Sequence, residues 1–177
     1  MKRSILAAGA MLTVLLAAAP VAAQSPSVDP LAGQLDAVRV ATAQYNWLPF
    51  AIDAGYAPFA LDGGTTPTCF SSEAGGMGVH YVQGVDAVVD PLKPEAMVYE
   101  LSATGEPRLV AVEYIVPQEV VEDASGAVVA LPELFGQPFH KHPTLPLYVL
   151  HAWIWATNPA GMFADFNPQV MPCMAMG

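Results

Sequence analysis

Four histidines and one carboxylate carry the chemistry this sequence can offer. The clearest signal is His140-Lys141-His142. On an extended strand, residues two apart face the same way, so both imidazoles would reach one ion while Lys141 points to the other side. A His-x-His strand pair is a recurrent chelate for zinc, copper, iron or manganese. Glu113 lies within RLVAVEYIV, Arg108 to Val116. Strict alternation puts Leu109, Ala111, Glu113 and Ile115 on one face and Val110, Val112, Tyr114 and Val116 on the other, so both faces are mostly apolar. A carboxylate in that company must be paired, protonated or metal-bound. It would serve as a ligand, or as a catalytic general base with a raised pKa. His80 sits in GGMGVHYV, positions 75–82, and shares its face with Gly78 and Val82. A glycine there leaves room for a ligand or for another strand's side chain. His151 shares its face with Trp153 and Trp155.

His80, Glu113, His140 and His151 therefore form a candidate ligand set for a divalent transition metal with an open position. If the site is catalytic, the metal would polarise a substrate or activate water or oxygen. The set resembles that of the cupin barrels, but there the His-x-His pair precedes the glutamate, and here Glu113 precedes it, so cupin chemistry is not carried over. Tyr81, Trp153 and Trp155 are the candidate lining of a pocket for a small molecule, and a metal-free binding module is the second reading. A structural envelope protein without a site is the third. Each residue also has a plainer role. His80 fits a core histidine bonded to a backbone carbonyl. Glu113 would pair with Arg108, Lys141 or a buried tyrosine. His142, before Pro143, fits an exposed strand end, and the tryptophans fit β-core packing. No GxSxG elbow, HExxH, phosphate-cradling glycine loop or dinucleotide fingerprint occurs.

The elements that must position these residues are legible in outline. Asp29-Pro30 is a helix start. Leu31, Leu35, Val38, Thr42 and Tyr45 recur on one helical face, and Pro49 breaks the run, so a kinked helix or two helices are expected over 30–54. Residues 58–76 read as a long loop around Cys69. Strands are expected over 77–83, 97–102, 108–116, 128–131, 135–142 and 147–157, with a hairpin through Gly105-Glu106-Pro107. The tail from Phe163 reads as irregular. Seventeen prolines argue against a helical bundle. The fold class expected is α+β: an N-terminal kinked helix packed on an antiparallel, barrel-like sheet.

Lys2 and Arg3, an apolar stretch from Ile5 to Ala19, and Val21-Ala22-Ala23 have the form of a secretory signal peptide over 1–23. A linker, 24–28, and one α+β domain, 29–177, would follow, without a further span long enough for a bilayer. The chain carries a formal net charge of −10, and loss of Lys2 and Arg3 makes it more negative. That excludes nucleic acid and anionic membrane as natural partners, since both need a basic surface. Export to the periplasm or the medium favours a disulfide between the two cysteines, Cys69 and Cys173, over free thiols acting as soft metal ligands. Met171, Met174 and Met176 around Cys173 would either bind copper or fray.

The phrases VRVATAQYNWLPFAIDAGY (38–56), GGMGVHYV (75–82), DPLKPEAMVYE (90–100), LVAVEYIVP (109–117), LFGQPFH (134–140) and HAWIWATNPAGMFADFNPQV (151–170) resemble a family of small exported bacterial proteins. The resemblance spans most of the chain after the leader and departs at the Met-rich tail. It implies that His80, Glu113 and His151 lie in characteristic phrases of that family, and it implies no particular activity.

Overall fold

The structure, a computed structural model, describes residues 29–173. The expected signal peptide and linker, and Met174 and Met176 of the tail, lie outside the described residues. Asp29 caps α1 (Pro30–Thr42) by accepting a hydrogen bond from the Leu31 amide, and Pro30 takes a position where no amide is needed. Leu35, Val38 and Thr42 are buried along one stripe, with Leu31 and Tyr45 packed beside them. A 3₁₀ turn (Ala43–Asn46) leads into α2 (Leu48–Asp53), which opens with Pro49, so the helical region is two helices at an angle. Polar groups pin it to the sheet: Trp155 Nε1 donates to Thr42 Oγ1, the Tyr99 hydroxyl to the Tyr45 carbonyl, and Arg39 Nε to the Ile154 carbonyl.

The strands follow as β1 (Ala57–Pro58), β2 (Cys69–Ser72), β3 (Gly75–Val82), β4 (Ala96–Leu101) and β5 (Pro107–Pro117). A helical turn, α3 (Gln118–Val121), precedes β6 (Glu133–Leu134), β7 (Gln137–Pro138), β8 (His140–Lys141) and β9 (Leu147–Ala152). The main sheet is antiparallel in the order β1-β3-β4-β5-β9-β8, with β2 sharing the outer edge of β3, and β6 and β7 form a separate hairpin. The fold is α+β and mostly sheet.

The sheet is open, and the expected barrel is not formed. The edges are blunted by shortness, with the two-residue β8 on one side and β1, which ends in Pro58, on the other, so neither needs the opposite edge as partner. Both faces are apolar and both are covered. The helical face buries Met97, Tyr99, Val112, Tyr114 and Leu150. The opposite face buries Val98, Val110, Ala111, Trp153 and Val170 in one cluster and Ala96, Ile115 and Val149 in another. The C-terminal segment is held over that second face by the disulfide Cys69–Cys173, whose Cα atoms are 5.7 Å apart.

Other expectations are corrected in detail. Residues 128–131 form no strand beyond a bridge from Glu122 to Val128, and Val128, Val129 and Leu131 remain exposed. The expected strand 135–142 is broken by the β6–β7 turn, where Phe135 and Gly136 both take positive φ, and by the gap before β8. The strict alternation along β5 fails because Val98 pairs with Ala111 while Tyr99 pairs with Leu109, leaving Val110 as a bulge. Leu109 accordingly joins the helical face, while Val110 and Ala111 both face the other way. That bulge also ends β9 early: the Val110 carbonyl accepts from both the Trp155 and Ala156 amides, pulling the chain off the strand after Ala152.

Candidate functional site

The site is built on the second face of the sheet, the one away from the helices. In the register, His80 pairs with Val98, Glu113 with Ala96 on one side and His151 on the other, and His140 with Val149. Paired residues share a face, so all four candidates project together. His80 and Glu113 stand on strands separated by β4, roughly 10 Å across at ordinary strand spacing. They meet because β4 contributes only Ala96 and Val98 between them. His80 Nε2 lies 3.4 Å from a Glu113 carboxylate oxygen. The His151 ring lies 6.1 Å from the His80 ring and 4.7 Å from the indole of Trp153, centroid to centroid.

All three groups are buried: His80 is 4 %, Glu113 7 % and His151 0 % exposed. Neither cation proposed for Glu113 reaches it, because Arg108 pairs with Glu100 and Lys141 with Glu122. Three buried imidazole nitrogens, His80 Nδ1 and both nitrogens of His151, have no hydrogen-bond partner among the described residues. Buried polar groups are rarely left this way.

Burial sets the protonation states. It pushes the Glu113 carboxyl up to about 8, with the nearby Asp165 charge adding to the effect. It also pushes His80 down to about 3, reinforced by His151 and His142, and His151 down to about 4. At neutral pH the floor of the site is therefore uncharged, with its proton on the carboxyl and the imidazoles free to accept one.

Above this floor opens a cavity of about 280 Å³. Its walls include Phe59, Phe70, Met77, Ile115, Leu145 and Phe166. Phe70 packs edge-on against His80 at 5.5 Å and stacks with Phe59 at 6.2 Å. His140, half exposed, holds Asp165 at 3.2 Å near the mouth. That bond holds the Asp165 carboxyl below its usual range and raises His140. His142 also lines the cavity, and its Nδ1 accepts from the amides of Thr144 and Leu145, which leaves Nε2 to carry the proton of the neutral ring.

The expected metal set is divided. His80 pairs with Glu113, and His140 with Asp165. Among the described residues no group of three or more histidine, cysteine or acidic side chains is gathered closely enough to hold a metal ion. The expected aromatic lining is elsewhere. Tyr81 lies on the helical face against Tyr99, Trp155 is bonded to Thr42, and Trp153 is packed in the second-face core with its Nε1 donating to the Ala164 carbonyl. None of the three lines the cavity.

Asp165 and Phe166 went unread because they lie in a segment with no periodic pattern. The signal that could have found them is in GGMG. A Cβ on Gly75 would strike the Asn167 carbonyl, and one on Gly76 the Met171 carbonyl. These glycines admit the C-terminal segment against β3, where Gly76 and Asn167 bridge through their backbones. Gly78, at φ 107°, serves not a ligand but the close approach of the Tyr99 carbonyl.

Comparison with protein families, curated proteins and solved structures gives no match. The site's own chemistry must carry the functional reading.

Proposed function

We propose that this chain is an exported binding protein for a small, mainly apolar molecule, held by its polar end on the His80–Glu113 pair. The observation that carries the reading is the cavity itself: apolar walls over a buried, uncharged donor–acceptor pair. Ligand sites commonly combine apolar walls with a few convergent polar groups. The carboxyl in its acid form donates, the neutral imidazole accepts, and together they would move a proton on a bound carbonyl or hydroxyl if the site is catalytic. Export is supported by the Cys69–Cys173 bridge, because disulfides persist in oxidising compartments. No described helix is long and apolar enough to cross a membrane.

The test is thermal-shift screening against small amphiphilic compounds, with Leu145→Trp filling the cavity rim. Hits that stabilise the wild type and are lost in the variant are expected. Stabilisation that is equal in both proteins overturns the assignment to this cavity.

A divalent transition metal is the second reading. It is favoured by the three unpartnered imidazole nitrogens beside the His80–Glu113 contact. It requires the His151 ring to move towards the pair, since such sites take at least three protein ligands and the described residues gather no three as they stand. Zinc added to tag-free protein would then raise the melting temperature in the wild type and not in His80→Ala. An unchanged melting temperature removes this reading.

A further inference from the structure

Every charged side chain lining the cavity other than the histidines is acidic. Glu113 stands at the floor, Asp165 at the mouth, and among the described residues no lysine or arginine lines it. An anionic ligand would find no permanent counter-charge. The Glu113 carboxylate, nine-tenths buried, accepts no hydrogen bond from the described residues, and His80 Nε2 stands 3.4 Å from one of its oxygens. Phe59, Phe70 and Phe166 surround the space with aromatic rings, which attract cations to their faces. The chain as a whole is acidic, and an acidic surface raises the local concentration of cations.

We propose that the ligand is a small amine with an apolar body, its ammonium seated on the Glu113 carboxylate between the phenylalanine rings. This rests on the cavity reading above and names the chemical class that the cavity selects. The volume of about 280 Å³ equals roughly nine water-sized spaces, which fits an amine of about that many heavy atoms.

Seating an ammonium on Glu113 requires the carboxyl to ionise. The arriving cation keeps its proton, the carboxyl releases its own to solvent, and a neutral pair becomes an ion pair. The titratable groups around Glu113 are His80 from β3, His151 from β9, His140 from β8 and Asp165 from the C-terminal segment, and the charge of Glu95, just before β4, also acts on it. The imidazoles of His80 and His151 stay neutral above about pH 4, so across neutral pH the proton released is that of Glu113.

The experiment is calorimetric titration of the full mature chain with phenethylamine, phenethyl alcohol and phenylacetate, which share one body and differ in head group. The amine should bind roughly tenfold or more tighter than the alcohol, and phenylacetate weakest. Amine affinity should rise towards tenfold per pH unit and flatten above about pH 8, with proton release read from buffers of different ionisation heat. Glu113→Gln should lose the amine preference and the pH dependence. If alcohol and amine bind equally, with no proton released, the amine class is overturned while the cavity reading stands. If none of the three binds, both fall. The wild-type comparison decides the matter even where the variant does not fold.

Discussion

Burial disfavours the charged forms of Glu113 and of the two histidines beside it alike, so it raises the carboxyl pKa and lowers those of the imidazoles, and this gives the stability a calculable pH profile. Glu113 is raised from its ordinary 4.5 to about 8 in the folded chain. Between those values the unfolded chain has lost a proton that the folded chain keeps. Its contribution is thus fully present below about pH 4.5 and is lost as pH rises through about 8, at up to roughly 1.4 kcal/mol per pH unit. His80 and His151 are lowered, so their contributions are present above about 6.5 and are lost as pH falls towards 4 and 3. Glu95, raised to about 7 by burial while its carboxylate accepts from the Ile115 amide, adds a smaller alkaline limb. Subtracting the urea-unfolding curve of Glu113→Gln from that of the wild type isolates Glu113. The difference should decline between pH 5 and 8; a flat difference would mean the carboxyl is solvated.

At the scale of elements, β3 shows how a strand is shaped by what must lie against it. Gly75 and Gly76 admit the C-terminal segment, and Gly78 admits β4. Gly78→Ala combines a positive φ with a collision against the Tyr99 carbonyl, so it should cost about 2 kcal/mol or more in denaturant unfolding. Gly84, also at positive φ but with open space around it, is the matched control, and its alanine variant should cost about 1 kcal/mol. Equal losses at the two positions would show that backbone conformation alone matters and that the approach of β4 does not. The bulge at Val110 is the corresponding device on β5. It keeps Ala111 and Glu113 on the cavity face while sending Leu109 to the helical face. Alternation read from residues 109–116 gives Glu113 its neighbours Ala111 and Ile115 correctly and misassigns Leu109 and Val110. A bulge depends on the partner strand, which the local pattern does not contain.

The whole molecule is closed by its C-terminal segment rather than by a barrel seam. Asn167 is fully buried, with its side chain donating to the Thr157 carbonyl and accepting from the Gln169 amide, and its backbone bonded to Gly76. Three residues earlier than Pro168 the same segment brings Asp165 to the cavity mouth, and Cys173 fastens it to β2. Replacing both cysteines by serine removes a cross-link spanning 104 residues and should cost roughly 2–5 kcal/mol. Hydrogen exchange should rise first at the amides of Asn167 and Val170, which bond to Gly76 and to Asn167. Unchanged protection there would mean the polar anchors suffice without the bridge.

The helix face of Leu35, Val38 and Thr42, the central strands, the pairing of two cysteines and the oddity of Glu113 were all legible in the sequence. Each depends on periodicity, on composition or on a count, and these are local properties of a chain. The meeting of His80 with Glu113 across Ala96, the division of His140 to Asp165, and the displacement of Tyr81, Trp153 and Trp155 from the cavity depend on register, on one bulge and on a segment without pattern. Those are relations between strands distant in sequence. Only packing both faces of an open sheet at once decided them.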